Sequence, residues 1–105
     1  MGFGPIGAVQ KLLKKTGVSL DEVEMIELNE AFASQSIGCI EELGLDPARV
    51  NPNGGAIALG HALGATGAVL TTKAAYAMKN AERKYAIVTM CVGGGEGAAA
   101  MFERP

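Results

Sequence analysis

After Pro5 the apolar residues Ile6, Val9, Leu12 and Leu13 recur at helical period until Gly17. The spacing predicts a first helix, opened by a proline whose missing N–H costs nothing in the first turn and closed by a glycine. Ser19 to Glu22 has the spacing of a capping box and predicts one short turn before the apolar run Met25 to Leu28, which reads as a strand. Helical spacing returns over Ala31 to Leu43, with Phe32, Ile37, Ile40 and Leu43 as apolar positions and Gly44 as the stop. Asp46 to Gly55 holds two prolines and two asparagines and predicts a turn-rich connection, after which Ala56 to Leu59 reads as a brief buried strand. A long helix rich in Ala and Leu is expected from about Leu63 to Asn80, with Gly64 and Gly67 near its start. Tyr85 to Val92 has the β-branched content of a strand, and Ala98 to Phe102 reads as its hairpin partner across the turn Gly93-Gly94-Gly95-Glu96-Gly97.

Helices and strands alternate, so the fold class is α/β: a mixed sheet flanked by helices, with a parallel portion and an antiparallel edge. No repeat, linker or low-complexity tract divides the sequence, and 105 residues make a single domain, 1–105.

Composition acts mainly by exclusion. With 49% hydrophobic and 19% charged residues, the chain has enough apolar side chain to argue against disorder. Nine basic and eleven acidic residues give a net charge of −2 with no long block of either sign, which argues against a nucleic-acid partner. The densest basic group, Lys11, Lys14 and Lys15, falls at helical spacing opposite Val9, Leu12 and Leu13, as a solvated helix face would. The apolar runs are too short to cross a bilayer, so no membrane role is expected. Cys39 and Cys91 lie far apart, and Met1 is followed by Gly2-Phe3-Gly4-Pro5 rather than by a charged and then apolar leader, which points to a reducing, cytoplasmic setting. One histidine and two separated cysteines lack metal-ligand spacing, so no structural metal is expected.

Three clusters fall at strand ends, where α/β proteins gather their sites. They are Asn29-Glu30-Ala31-Phe32-Ala33, Gly54-Gly55 through Gly60-His61, and Cys91-Val92-Gly93-Gly94-Gly95. His61 at a strand-to-helix junction is either an acid–base group or a satisfied structural histidine. Cys91 is either a working thiol before glycines whose amides can turn into a cleft, or a small buried apolar residue. Cys39, mid-helix and outside every cluster, reads as the latter, and Asn29 can cap the helix that follows it. Gly93-x-Gly95-x-x-Ala98 superficially fits a dinucleotide fingerprint, but that motif needs a following helix and a later acidic residue, and a strand follows here.

In order and spacing the three clusters resemble the blocks of the thiolase family: Asn-Glu-Ala-Phe, a glycine-rich block ending in Gly-His, and Cys-x-Gly-Gly-Gly. The resemblance runs from Met1-Gly2-Phe3-Gly4-Pro5 to the last strand, through nearly the whole chain. It implies the carboxy-terminal half of an acyl-CoA C-acyltransferase, which performs Claisen condensation of acyl-CoA and its reverse, thiolysis of 3-ketoacyl-CoA. Such chemistry needs an acyl-carrying thiolate, a base, and donors for two developing oxyanions. By resemblance, His61 activates the nucleophile and helps polarise a thioester carbonyl, and Cys91 is the general acid/base for the second substrate. Gly93 gives its amide to one oxyanion, and Asn29 holds a water at the other, with Glu30 as a polar supporter. No cofactor is implied beyond coenzyme A thioesters as substrates, and no residue is assigned to coenzyme A binding.

The sequence also departs from the family. Gly60-His61-Ala62 stands where Gly-His-Pro is usual, which loosens the backbone after the histidine, and Val69 stands where an arginine is common. The half with the acyl-accepting cysteine has no counterpart, so the chain alone is expected to be inactive. The family's first strand, expected at the centre of the sheet between Met25–Leu28 and Tyr85–Cys91, also has no counterpart. Four strands with unpaired edges would remain, and such edges predict a homo-oligomer or pairing with a thiolase amino-terminal half. A non-catalytic thiolase-like subunit or interaction module is the competing reading. An independent hydrolase with a Cys91–His61 dyad is the weakest, because the resemblance gives both residues supporting roles.

Overall fold

The structure is a computed structural model and describes residues 2–105. Strands β1 (Met25–Leu28), β2 (Tyr85–Val92) and β3 (Glu96–Glu103) form one mixed sheet in that order. β1 runs parallel to β2, with Met25 opposite Ala86 and Leu28 opposite Thr89. β3 returns antiparallel after a three-residue glycine turn, Gly93–Gly95, in which Gly94 and Gly95 take φ of 78° and 83°, values open to glycine and strained for other residues.

The two-residue alternation of the strands divides the core. Ile26, Leu28 and Ile87 pack with Val9 of α1 (Gly4–Thr16) and Cys39 of α2 (Ala33–Leu43) on one face. Met25, Ala86 and Val88 pack with Leu70, Ala74, Ala77 and Met78 of α4 (Thr66–Asn80) on the other. All four residues of β1 are buried, as expected of a strand covered on both faces by helices. Emptying a buried position such as Ile87, 0% exposed, costs about 2–5 kcal/mol when the residue is cut to Ala.

Several expectations give way here. A gap between Met25–Leu28 and Tyr85–Cys91 does not exist: β1 and β2 bond to each other directly, so no central strand is missing between them. The sheet has three strands among the described residues rather than four. Ala56–Leu59 is a single helical turn, α3, and not a strand. Its length and apolarity suit either, and Glu30 decides: its Oε1 accepts from the Ile57 N–H at 3.1 Å, supplying the acceptor that the start of a helical turn needs. The long helix starts at Thr66 rather than Leu63, which is 89% exposed. On α2 the inward residues are Gln35, Ser36 and Cys39, whereas Phe32 and Ile37 face outward. The polar pair is tolerated inside because Gln35 Nε2 donates to Cys39 Sγ and Ser36 Oγ donates to the Phe32 carbonyl.

The outer edge of β1 is covered by a loop instead of a strand. Val50 bridges Ile26 in parallel, and the Asn51 N–H donates to the Ile26 carbonyl at 2.8 Å. The Asn51 side chain then continues the ladder: Oδ1 accepts from Leu28 N–H at 2.9 Å and Nδ2 donates to the Leu28 carbonyl at 2.8 Å. A carboxamide has the donor and acceptor of a peptide unit, so one side chain completes the sheet where the backbone turns away. This fixes the start of the glycine block.

Candidate active site

The carboxyl ends of β1 and β2 point to the same side of the molecule, and a cavity of about 400 Å³ opens beside them against α4. Asn29, Gly55, His61, Thr66, Val69 and Lys73 are among its lining residues. Asn29 follows β1 directly; its N–H is held by the Thr89 carbonyl at 3.0 Å, it is 2% exposed, and its Oδ1 has no protein donor. A buried amide oxygen without a partner is uncommon, and here it belongs to a cavity-lining side chain.

His61 hangs on the segment between α3 and α4. Its Nδ1 lies 2.5 Å from Thr66 Oγ1, and that hydroxyl donates to the Ala62 carbonyl at 3.0 Å. A hydroxyl has one proton. With that proton directed to Ala62, Oγ1 accepts from Nδ1–H and Nε2 is the basic nitrogen; with it directed to Nδ1, the tautomer is reversed. The same carbonyl also accepts from the Ala65 and Thr66 amides, so the backbone after His61 is held without the proline that the resemblance leads one to expect. Val69 leaves its part of the cavity wall uncharged, and the wall's cation is Lys73, one helical turn further on.

Lys73 Nζ bonds Glu27 Oε2 at 2.9 Å and also donates to the Gly54 carbonyl. Glu27 is fully buried, and burial pushes its carboxyl above the ordinary value of 4.5; the Lys73 ammonium pulls in the opposite direction, and Glu30 adds to the rise. Glu30, after β1, reaches over the glycine block so closely that a β-carbon at Gly55 would collide with its carboxylate.

Cys91 and Gly93 do not line this cavity. Cys91 is partly buried near the end of β2, opposite Gly97. Strand alternation puts it on the face of Ile87, toward α1 and α2, whereas Glu27 and Asn29 share the face of Met25, toward α4. Gly93 is exposed at the turn that follows. The structure therefore unites Asn29 and His61 in one cavity and holds Cys91 and Gly93 at the same end of the sheet but outside that cavity. Cys39 is wholly buried, bonded by Gln35, and its thiol is pushed up by burial. Thr66, Lys73 and Asn51 were not singled out from sequence; the signals available were a hydroxyl residue five positions after the histidine, a lysine on an otherwise apolar helix face, and the Asn-Pro-Asn-Gly turn. Among the described residues no three side chains gather as a metal site, and no helix is long and apolar enough to cross a membrane.

An imidazole and an unpartnered amide oxygen thus share one cavity at the carboxyl ends of parallel strands, the place where α/β domains gather their sites. Comparison with known proteins gives that class a family. The thiolase C-terminal domain profile matches residues 1–104. The chain is 51% identical over 104 residues to beta-ketothiolase BktB of Cupriavidus necator, covering 99% of this chain and 26% of that protein. It is 53% identical over 103 residues to the 3-ketoacyl-CoA thiolase of Bacillus subtilis, covering 98% and 26%. The crystal structure of human mitochondrial 3-ketoacyl-CoA thiolase superposes with a TM-score of 0.97 at 41% identity, over 99% of this chain and 26% of that one. The chain belongs to the thiolase family and corresponds to its C-terminal domain; it spans about a quarter of the length of these relatives.

Proposed function

We propose that this chain supplies the acid–base side of a thiolase site, acting on acyl-CoA and 3-ketoacyl-CoA thioesters with an acyl-carrying cysteine provided by the remainder of such a protein. The observation that carries the reading is that His61 lines one cavity with Asn29, whose Oδ1 has no donor among the described residues; in the tautomer where Thr66 Oγ1 accepts from Nδ1–H, Nε2 is the base. In this scheme His61 takes the proton of the partner thiol, and the resulting thiolate attacks the thioester carbonyl. Asn29 steadies the developing oxyanion through a water, and Glu30 holds the glycine block through Ile57. Cys91, at the end of β2, serves as acid/base for the second substrate, and Gly93, in the turn that follows, donates its amide to the second oxyanion. Coenzyme A thioesters are substrates, and no further cofactor enters the scheme. We place this chemistry in the cytoplasm, on the cysteine usage described above.

Alanine substitution in the assembly of this chain with a thiolase amino-terminal half tests the roles. His61→Ala and Cys91→Ala should each lower turnover by about two to four orders of magnitude. Cys39→Ala should do little, and an equal loss there would show that the assignment of roles is wrong.

A second reading is favoured by one observation: among the described residues β3 has a strand neighbour on one side only, so its outer edge is an edge of the sheet. Such an edge takes a strand from another chain, so a non-catalytic module that pairs with a second copy or with a thiolase amino-terminal half is the alternative. A stable complex in which His61→Ala changes nothing would favour it.

A further inference from the structure

The Glu27–Lys73 pair, its carboxylate buried and its lysine side chain 18% exposed, has no part in the proton transfers above, and stability alone does not account for it. Removing two charges from water costs several kcal/mol per ion, and apolar replacements of such pairs are often neutral or stabilising. Here the compensation is incomplete: Glu27 is 0% exposed, only Oε2 meets the ammonium, and Oε1 has no protein donor. What the pair does accomplish is geometric. Glu27 projects from β1 on the same face as Asn29, two residues on, and Lys73 reaches from α4 to bond both that carboxylate and the Gly54 carbonyl. Three residues further along the backbone, at Ile57 in α3, the second carboxylate of the β1 end takes hold: Glu30 Oε1 accepts the Ile57 N–H at 3.1 Å. The segment that runs from the glycine block to His61 is thus pinned at both ends of its first half, once through a carbonyl and once through an amide.

We propose that Glu27 and Lys73 are positioning residues for the histidine site. The carboxylate fixes the ammonium, the ammonium fixes the Gly54 carbonyl, and the glycine segment keeps its place against Asn29 while it carries His61. The importance of that placement rests on the thiolase reading, but the placement itself is measured without acyl transfer.

The test compares Lys73→Met, Glu27→Gln and the double variant in the purified protein by thermal melt, by amide hydrogen exchange over 54–60, and by the rate at which diethyl pyrocarbonate modifies the chain's one histidine. Lys73→Met alone leaves a buried carboxylate without its cation and should lower the melt. The double variant removes both charges with little change of volume and should melt near the parent. Its 54–60 amides should nevertheless exchange about tenfold faster, the effect of losing roughly one hydrogen bond to a charged group, and His61 should be modified at an altered rate. A double variant with parental melt, parental exchange and parental His61 reactivity would overturn the proposal, because the pair would then be replaceable packing. If exchange and reactivity change as expected while the complete assembly shows no turnover, the positioning role stands and the thiolase reading falls.

Discussion

Asn51 offers the sharpest check of how the glycine block is held. Its carboxamide bonds both backbone groups of Leu28, at 2.9 and 2.8 Å, and Leu28 is 1% exposed. Asn51→Gly removes both bonds without straining the backbone, which has φ of 46° there. Each buried group left without a partner costs about 1–3 kcal/mol, and water can approach this edge of the sheet, so a cost near the low end, about 1–1.5 kcal/mol, applies to each: about 2–3 kcal/mol in total. For a domain of this size that is a fall of roughly 10–20 °C in melting temperature. Asn51→Ala loses the same bonds and adds a left-handed alanine, a strain that outweighs alanine's smaller unfolded-state entropy, and should melt lower still, by up to about 1 kcal/mol. Circular dichroism melts, with exchange of the Leu28 amide as a local readout, measure both. A glycine variant within about 2 °C of the parent would refute the strand-completing role, and an alanine variant more stable than the glycine one would refute the strain.

Thr66→Val keeps the shape of the side chain and removes the acceptor for His61 Nδ1–H; in the complete assembly turnover should fall about three- to tenfold with KM little changed, and nitrogen NMR of the one histidine should show mixed tautomers. An unmixed tautomer would show that Thr66 does not set it. Glu27 has a raised pKa in the folded chain, so the native state holds its proton longer than the unfolded state. Its contribution is therefore most favourable below the ordinary value of 4.5 and declines as pH rises through the raised value. Glu27→Gln should gain on the parent in melting temperature across that rise, and a gap independent of pH would contradict the assignment. The open edge of β3 should make the chain self-associate at micromolar concentration, and light scattering from a clean monomer would show that the edge protects itself.

Much of this fold was legible in the chain because local signals and tertiary structure agree. Met25–Leu28 and Tyr85–Val92 match the apolar runs, and Gly17 and Gly44 end α1 and α2 where the periodicity stops. The misreadings share a cause: a distant group decided the outcome. Ala56–Leu59 is a helical turn whose second amide, at Ile57, is accepted by a carboxylate 27 positions away. The register of β1 against β2 depends on pairing across some sixty residues, which the resemblance misassigned to a missing central strand and which no short-range pattern encodes. For the candidate site the sequence offers residue types, Asn29, His61, Cys91 and Gly93, but no geometry. That Asn29 and Cys91 lie on opposite faces follows from strand alternation once the register is known, whereas the place of His61 in the cavity depends on the loop between α3 and α4. Thr66, Lys73 and Asn51 act through bonds to the backbone or to a buried carboxylate, and their types alone carry no such message.

The central claim is that this chain brings the acid–base residues and not the acyl-carrying thiol, and one measurement meets it directly. The chain is assayed for thiolysis of acetoacetyl-CoA by loss of the 3-ketoacyl thioester, first alone and then mixed with the amino-terminal part of a relative such as the Bacillus subtilis 3-ketoacyl-CoA thiolase, with His61→Ala as the matched control. The expected result is no turnover by the chain alone and turnover in the mixture that the control abolishes. Turnover by the chain alone above its Cys91→Ala variant, or a mixture whose activity is indifferent to His61, would contradict it.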